Sequence, residues 1–407
     1  MTKSIDIELQ NFQEVKYIPS TVPTVSQSWK YWIIQEKRRN LFIAIVVGIL
    51  VLAMVISISL SLSLQNRIPS HVETTRFLVF GGYQQQNYQD YWNYTVISQT
   101  EVFDLKSNGS NCCISPEFPF QTSCGATTVT SKGILLCGGH NHATDAKTSD
   151  CYQLQSDMSY SKAGSMTEPR SSFVSVLLEN RDVWMIGGWD GDKFLSSTEI
   201  VGETGSKPSI ELPLTLGYHC LIKINETFAL LTGGITREPN ISSTTINHTY
   251  FVNLITNELS NGPSLLSQRC WHSCESFVLN GKTFGIVSGG YTGSSYGSQF
   301  LDTSEILDFS DNSQSWKKGP KLPRKINRAT MVKSNTGKVL LVGGRYEMEV
   351  ARGEISQLLC EDQILENCQW IDLEHTLKIP RISPYIVPFP NMLDVHCKTC
   401  QTEEMQP

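Results

Sequence analysis

Val183-Trp-Met-Ile186-Gly187-Gly188, four apolar residues closed by two glycines, decides the fold because the chain repeats it six times. The other instances are Phe77-Leu-Val-Phe80 before Gly81-Gly82, Ile134-Leu-Leu-Cys137 before Gly138-Gly139 and Phe228-Ala-Leu-Leu-Thr232 before Gly233-Gly234. Phe284-Gly-Ile-Val-Ser288 before Gly289-Gly290 and Val339-Leu-Leu-Val342 before Gly343-Gly344 complete the set. A short apolar run ended by turn residues reads as a buried strand. Successive doublets are 57, 49, 46, 56 and 54 residues apart, the period of a propeller blade and not of a helical solenoid.

Around each doublet the rest of the repeat recurs. An apolar strand precedes it (Ser175-Val-Leu-Leu178, Ala329-Thr-Met-Val332), and a Ser/Thr-Glu-apolar strand follows it (Thr100-Glu-Val102, Thr198-Glu-Ile200, Ser304-Glu-Ile306). Tryptophan marks the outer strand at Trp316 and Trp370, and Tyr160 stands near that place in blade two. Two residues without Cβ let the chain turn sharply and let a neighbouring blade come close. One such unit cannot bury both faces, whereas six stacked radially and closed into a ring can. The pattern over residues 76 to about 390 resembles the kelch repeat. The resemblance implies an all-β, six-bladed kelch-type β-propeller.

Most inner strands follow Pro-Arg or a similar pair, as at Pro169-Arg170 and Pro323-Arg324, but blade one opens at Arg76 with no inner strand before it. Residues 380–389 have the look of an inner strand with no Gly-Gly strand after it, so they are assigned to blade one.

Leu41 to Leu64 is a run of 24 residues without charge or proline. As helix it would reach roughly 36 Å at ~1.5 Å per residue, against a hydrocarbon core of about 30 Å. Lys37, Arg38 and Arg39 precede it and only Arg67 follows closely, which places the N-terminus in the cytoplasm. The five Asn-x-Ser/Thr glycosylation sequons, at Asn93, Asn108, Asn225, Asn240 and Asn247, all lie beyond the run. The expected organisation is a cytoplasmic tail over 1–40, a transmembrane signal-anchor helix over 41–64, a stalk over 65–75, the propeller over 76–390 and a tail over 391–407.

All 12 cysteines also lie beyond the run, as in a protein of an oxidising compartment. Cys137 and Cys151 sit at antiparallel strand spacing in blade two, and Cys360 and Cys368 across a hairpin in blade six, so both pairs are expected as disulfides. Pairings of Cys112, Cys113, Cys124, Cys220, Cys270 and Cys274 remain open, although Cys220 with Cys270 or Cys274 would staple adjacent inner strands. Cys397-Lys-Thr-Cys400 reads as a local disulfide. A formal net charge of −6 argues against nucleic acid as partner.

Candidates for chemistry are few. His140-Asn-His142 has metal-like spacing but supplies only two of the three or four ligands a site needs. Asp190-Gly-Asp192 matches an ordinary turn, and the ligand motifs of galactose oxidase and the Asp boxes of sialidases are absent. Arg170, Arg269, Arg324, Arg328 and Arg381 recur at entries to inner strands, where guanidinium groups would suit a carboxylate or sulfate, or would pair locally with a carbonyl or acid. Tyr88, Tyr91 and Trp92, in the loop after the first doublet, have the composition of a contact surface. The expected function is that of a single-pass type II membrane protein, at the cell surface or in the secretory-pathway lumen, whose propeller binds a protein or glycan partner without a cofactor. The alternative is a lumenal or ecto-enzyme on the same ring, of galactose-oxidase-like or sialidase-like architecture.

Overall fold

The computed structural model describes residues 35–49, 51, 54, 76–85, 94–105, 112–114, 118, 120, 122–237, 243–293, 299–311, 314–346 and 351–389. Two compact units are distinguished, Met1–Val72 and Glu73–Pro407.

In the first unit the described helix covers residues 35–49, with 51 and 54 also helical. Among the described residues no helix is long and apolar enough to cross a membrane. This overturns the spanning signal-anchor helix expected over 41–64, and with it the single-pass type II location. The physical reason is visible in the helix itself. The described stretch of 35–49 accounts for about 22 Å at ~1.5 Å per residue, and its first turns carry Glu36, Lys37, Arg38 and Arg39, with Glu36 and Arg39 in an ion pair.

The second unit is a propeller of six four-stranded antiparallel sheets. Blade three shows the scheme: Val174–Leu177 lies innermost, then Val183–Ile186, Thr198–Gly202 and Gly205–Pro208. The apolar run before each doublet is the second strand, buried on both faces, which is why it lacks the alternation of a half-exposed strand. In blade one, Leu78 and Phe80 pack toward blade two, while Phe77 and Val79 pack toward blade six. Six hydrophobic clusters result, one between each adjacent pair of blades.

Blade one draws its strands from both ends of the unit: Tyr385–Pro388, Arg76–Phe80, Thr100–Asp104 and Cys112–Ile114. Phe77 pairs with Pro388 and Phe80 with Tyr385. Tyr385–Pro388 also packs on the inner strands of blades two and six, which closes the ring.

The doublets show why two glycines are needed. Gly138 has φ +65° and Gly139 φ +107°. A Cβ on Gly138 would lie 2.5 Å from the Arg170 carbonyl of blade three, and one on Gly139 would lie 2.8 Å from the Ser123 carbonyl of its own blade. The first glycine therefore admits the neighbouring blade and the second the chain's own entry turn. The Gly139 N–H donates to the Arg170 carbonyl at 2.8 Å, a contact between blades that recurs at Gly188, Gly234, Gly290 and Gly344.

Three disulfides are present among the described residues. Cys137–Cys151 joins directly opposed residues on the second and third strands of blade two, and Cys360–Cys368 closes the outer hairpin of blade six. Cys220–Cys274 joins the inner strands of blades four and five. Cys270 lies before the entry turn and remains a buried thiol, as Cys124 remains a half-buried one. Cys397 and Cys400 lie outside the described residues, as do the side chains of Cys112 and Cys113.

Candidate functional site

Each inner strand is entered through a single residue in the left-handed region. These residues are Cys124, Ser172, Tyr218, Trp271, Arg328 and Ser383, with φ between 50° and 59°. Their peptides are linked blade to blade. The N–H of Ser172 donates to the Cys124 carbonyl, Tyr218 to Ser172, Trp271 to Tyr218, Arg328 to Trp271 and Ser383 to Arg328. This collar surrounds the central axis and turns six side chains toward it, two of them serines and the other four all different.

Above the collar the loops after the doublets open as short ribbons, among them Tyr83–Gln85 with Tyr94–Val96 and His140–Asn141 with Ala146–Lys147. Together they enclose a cavity of about 390 Å³. Its aromatic wall is Tyr83, Tyr94, Trp189, Tyr218 and Trp271, and its polar lining includes Ser123, Cys124, Ser171, Ser172, His140 and His142. Lys147, Arg328 and Arg345 supply positive charge.

Arg328 is held from two sides. Its guanidinium carbon lies 4.5 Å from the centre of the Trp271 ring, and Nη1 donates to the Tyr83 hydroxyl. Burial raises the Tyr83 phenol above its ordinary range, an effect the Arg328 charge opposes. Burial lowers the Lys147 ammonium. Burial, followed by the charges of His140 and Lys147, lowers His142 to about 4, so its ring is neutral at pH 7.

Ser123 Oγ lies 2.7 Å from His142 Nε2, a hydroxyl beside an imidazole. A nucleophile–base–acid relay is not assembled, however. His142 Nδ1 has no partner among the described residues. Asp145 bonds His140 instead, and the two imidazoles stack at 4.5 Å and 9° rather than converging on a common point. Among the described residues no group of three or more His, Cys, Asp or Glu is placed to hold a metal ion. Asp190 Oδ1 accepts from the N–H groups of Asp192 and Lys193, the geometry of a turn.

The five candidate arginines divide. Arg170, Arg269 and Arg381 are fully buried and face the interior of blades three, five and one. Arg170 pairs with Glu199 and Arg269 with Glu305, both at 2.6 Å, and Arg381 lies 3.9 Å from Glu101. Each guanidinium also donates to the carbonyl of the first glycine of its own blade, at Gly187, Gly289 and Gly81. The Pro-Arg and Ser/Thr-Glu signatures are thus two halves of one buried pair, and such arginines cannot meet a ligand without unfolding the entry turn. In the other three blades the glutamate position, opposite the second residue before the doublet, holds Tyr152, Tyr250 or Ser356. Arg324 bonds Glu354 and Asp372 on the flank of blade six. Of the five, only Arg328 lines the cavity.

Tyr88, Tyr91 and Trp92 lie outside the described residues, as do Asn93, Asn108 and Asn240. Asn225 is exposed, its Oδ1 accepting from the N–H groups of Thr227 and Phe228, while the amide of Asn247 donates to the Leu265 carbonyl. The collar residues Ser172, Tyr218 and Trp271 and the wall residue Trp189 were missed by reading the sequence. The signal that locates the collar is positional: each of its residues stands two places after the residue that opens the repeat, as in Arg170-Ser-Ser172, Arg269-Cys-Trp271 and Arg381-Ile-Ser383.

No family model matches the chain, and no curated protein matches it. Solved structures do. YjhT aligns over 68% of this chain and 91% of its own, at 11% identity and a TM-score of 0.54. The chain is similar to it in fold: a propeller.

Proposed function

We propose that this chain is a kelch-type propeller that acts by binding, holding a protein or glycan partner at the central mouth. The observation that supports this most is the cavity itself. Loops from several blades meet there around five aromatic side chains, in a volume typical of ligand sites. Aromatic walls offer large rigid contact area at little entropic cost. The kelch reading draws on the repeat signatures, whose buried Arg–Glu pairs give them a structural purpose. Binding is favoured over catalysis because the Ser123–His142 contact lacks an orienting acid. The three disulfides among the described residues are of a kind that forms under oxidising conditions.

The test is a screen of the purified protein against a glycan array and, by crosslinking, against cell-surface proteins, followed by Tyr94→Ala and Trp189→Ala. Both variants should lose the partner by tenfold or more while melting as the parent does. A partner that binds both variants unchanged would place the interaction elsewhere.

A further inference from the structure

We infer that Asn225 carries an N-linked glycan and that its first sugar covers an apolar groove between blades four and five. The groove lies at the other end of the blades from the central cavity, so the binding reading above does not depend on it. The inner strand Cys220–Lys223 runs away from the collar residue Tyr218, and Asn225 stands in the turn it reaches before the second strand, Phe228–Thr232. Three observations support the assignment.

The first is the state of the acceptor. Asn225-Glu-Thr227 is one of the five sequons. Asn225 is exposed, and its Oδ1 accepts from the N–H groups of Thr227 and Phe228, both at 2.8 Å. That turn holds the side chain by its oxygen. Nδ2, the atom to be modified, and the Thr227 hydroxyl have no hydrogen bond among the described residues. In the transfer, Nδ2 loses one proton and bonds to C1 of the sugar. The bond from C1 to the diphosphate of a polyprenyl-diphosphate oligosaccharide donor breaks, and the polyprenyl diphosphate leaves. At Asn247-His-Thr249 the fold occupies the same two groups. Nδ2 of Asn247 donates to the Leu265 carbonyl at 3.0 Å, and the buried Thr249 hydroxyl donates to the Pro263 carbonyl at 2.8 Å.

The second is the surface beside the acceptor. Asn225 forms part of a groove of about 490 Å³, within the range that takes a small ligand. Ile224, Phe228, Phe251 and Phe309 supply its apolar floor. Three of these, Ile224, Phe251 and Phe309, are the partly buried margin of the core between blades four and five. The groove is therefore a place where the described chain leaves that core open.

The third is the exposure of Phe228, at 40%. The residue five places before the doublet is Arg76, Gly133, Asp182 or Lys338 in four other blades, and in the fifth it is Phe284, which is buried. Among the described residues only blade four sets an exposed aromatic ring at this point, and its turn is the one that holds a sequon. The C–H face of a pyranose packs on such a ring, while Ser260, Asn261 and Gln314 stand around the groove to meet its hydroxyl and acetamide groups. A sugar tethered at the rim meets the floor at high effective concentration, so a weak contact suffices.

The experiment produces the full chain in a eukaryotic host and reads the Asn225 peptide by mass spectrometry, where a glycan is expected. The folded glycoprotein is then trimmed in two ways, by an endoglycosidase that leaves one N-acetylglucosamine and by an amidase that removes the whole glycan. Trimming to one sugar should leave the melting temperature unchanged, and complete removal should lower it by about 2 °C or more. Thr227→Ala abolishes this sequon alone and keeps the Asn225 turn, so it should melt as the fully stripped protein does. In Phe228→Ala the stripped and glycosylated forms should melt together.

An unmodified Asn225 would overturn the assignment, and a dimer of unmodified chains would give the groove to a second copy. A glycan whose complete removal leaves melting unchanged, or lowers it equally in Phe228→Ala, would overturn the docking of its first sugar.

Discussion

Glu199 shows what a single side chain does in this ring. Burial alone would raise its carboxyl, but hydrogen bonds from Ser206 and Thr167 and the charge of Arg170 hold it below the ordinary carboxylate range. A folded-state value below the unfolded one means that its stabilisation is present above the unfolded pKa and is lost as pH falls through the folded value. Glu199→Gln should leave the fully buried Arg170 without its counter-charge and cost about 3–5 kcal/mol in chemical denaturation. The double variant Arg170→Met with Glu199→Leu should recover most of that loss, because the expense lies in an uncompensated charge and not in a missing attraction. A double variant as unstable as the single one would mean that the backbone hydrogen bonds of the pair matter more than its charges.

Elements differ in what anchors them. The Cys220–Cys274 bridge spans a sequence separation of 54 and ties two blades together, whereas Cys360–Cys368 spans 8 within one hairpin. The chain-entropy model assigns ~4 kcal/mol to a loop of the first length and ~2.5 kcal/mol to the second. Replacing each pair by serines should therefore lower the melting temperature more for the inter-blade bridge, as calorimetry of the two variants would show. The reverse order would mean that strand pairing already restrains blades four and five. At this scale much of the fold is legible in the sequence. The doublets, the Ser/Thr-Glu strands and the entry arginines repeat, and repetition separates signal from composition. Blade one's missing inner strand is the trace of the strand that Tyr385–Pro388 supplies. The cavity was harder to read, since Cys124, Ser172, Tyr218, Trp271, Arg328 and Ser383 share a backbone conformation and no chemistry. The Arg–Glu pairing was equally hidden, its partners standing about 30 residues apart on different strands. The spanning helix expected over 41–64 rested on composition alone, and among the described residues no helix is long and apolar enough to cross a membrane.

The whole molecule carries a sensitivity to acid at its axis. His219 and His272 begin or precede inner strands beside the central channel and are both almost wholly buried. Burial lowers His219 to about 3, and burial with the charge of Arg269 lowers His272 well below its ordinary value. An unfolded histidine titrates near 6.5. Because the folded values are lower, the unfolded chain takes up protons first as pH falls, and stability declines from about pH 6.5 downward, by up to ~1.4 kcal/mol per pH unit for each residue. Melting temperatures measured between pH 7 and pH 5 should fall, and His219→Asn should flatten part of that slope. An unchanged slope in that variant would remove His219 from the account.

Tyr385–Pro388 gives the propeller a history as well as a shape. Phe80 and its partner Tyr385 stand 305 positions apart, so the edge of blade one is made early and covered last. A ribosome adding ~5–20 residues per second needs roughly 15–60 s to travel that distance. Throughout that interval Leu78 and Phe80 wait on a nascent sheet whose inner edge is open to any other extended chain. The growing polypeptide thus depends on escort by chaperones in proportion to how slowly it is made, and a pause in translation ahead of codon 385 would be paid in aggregate rather than in altered structure.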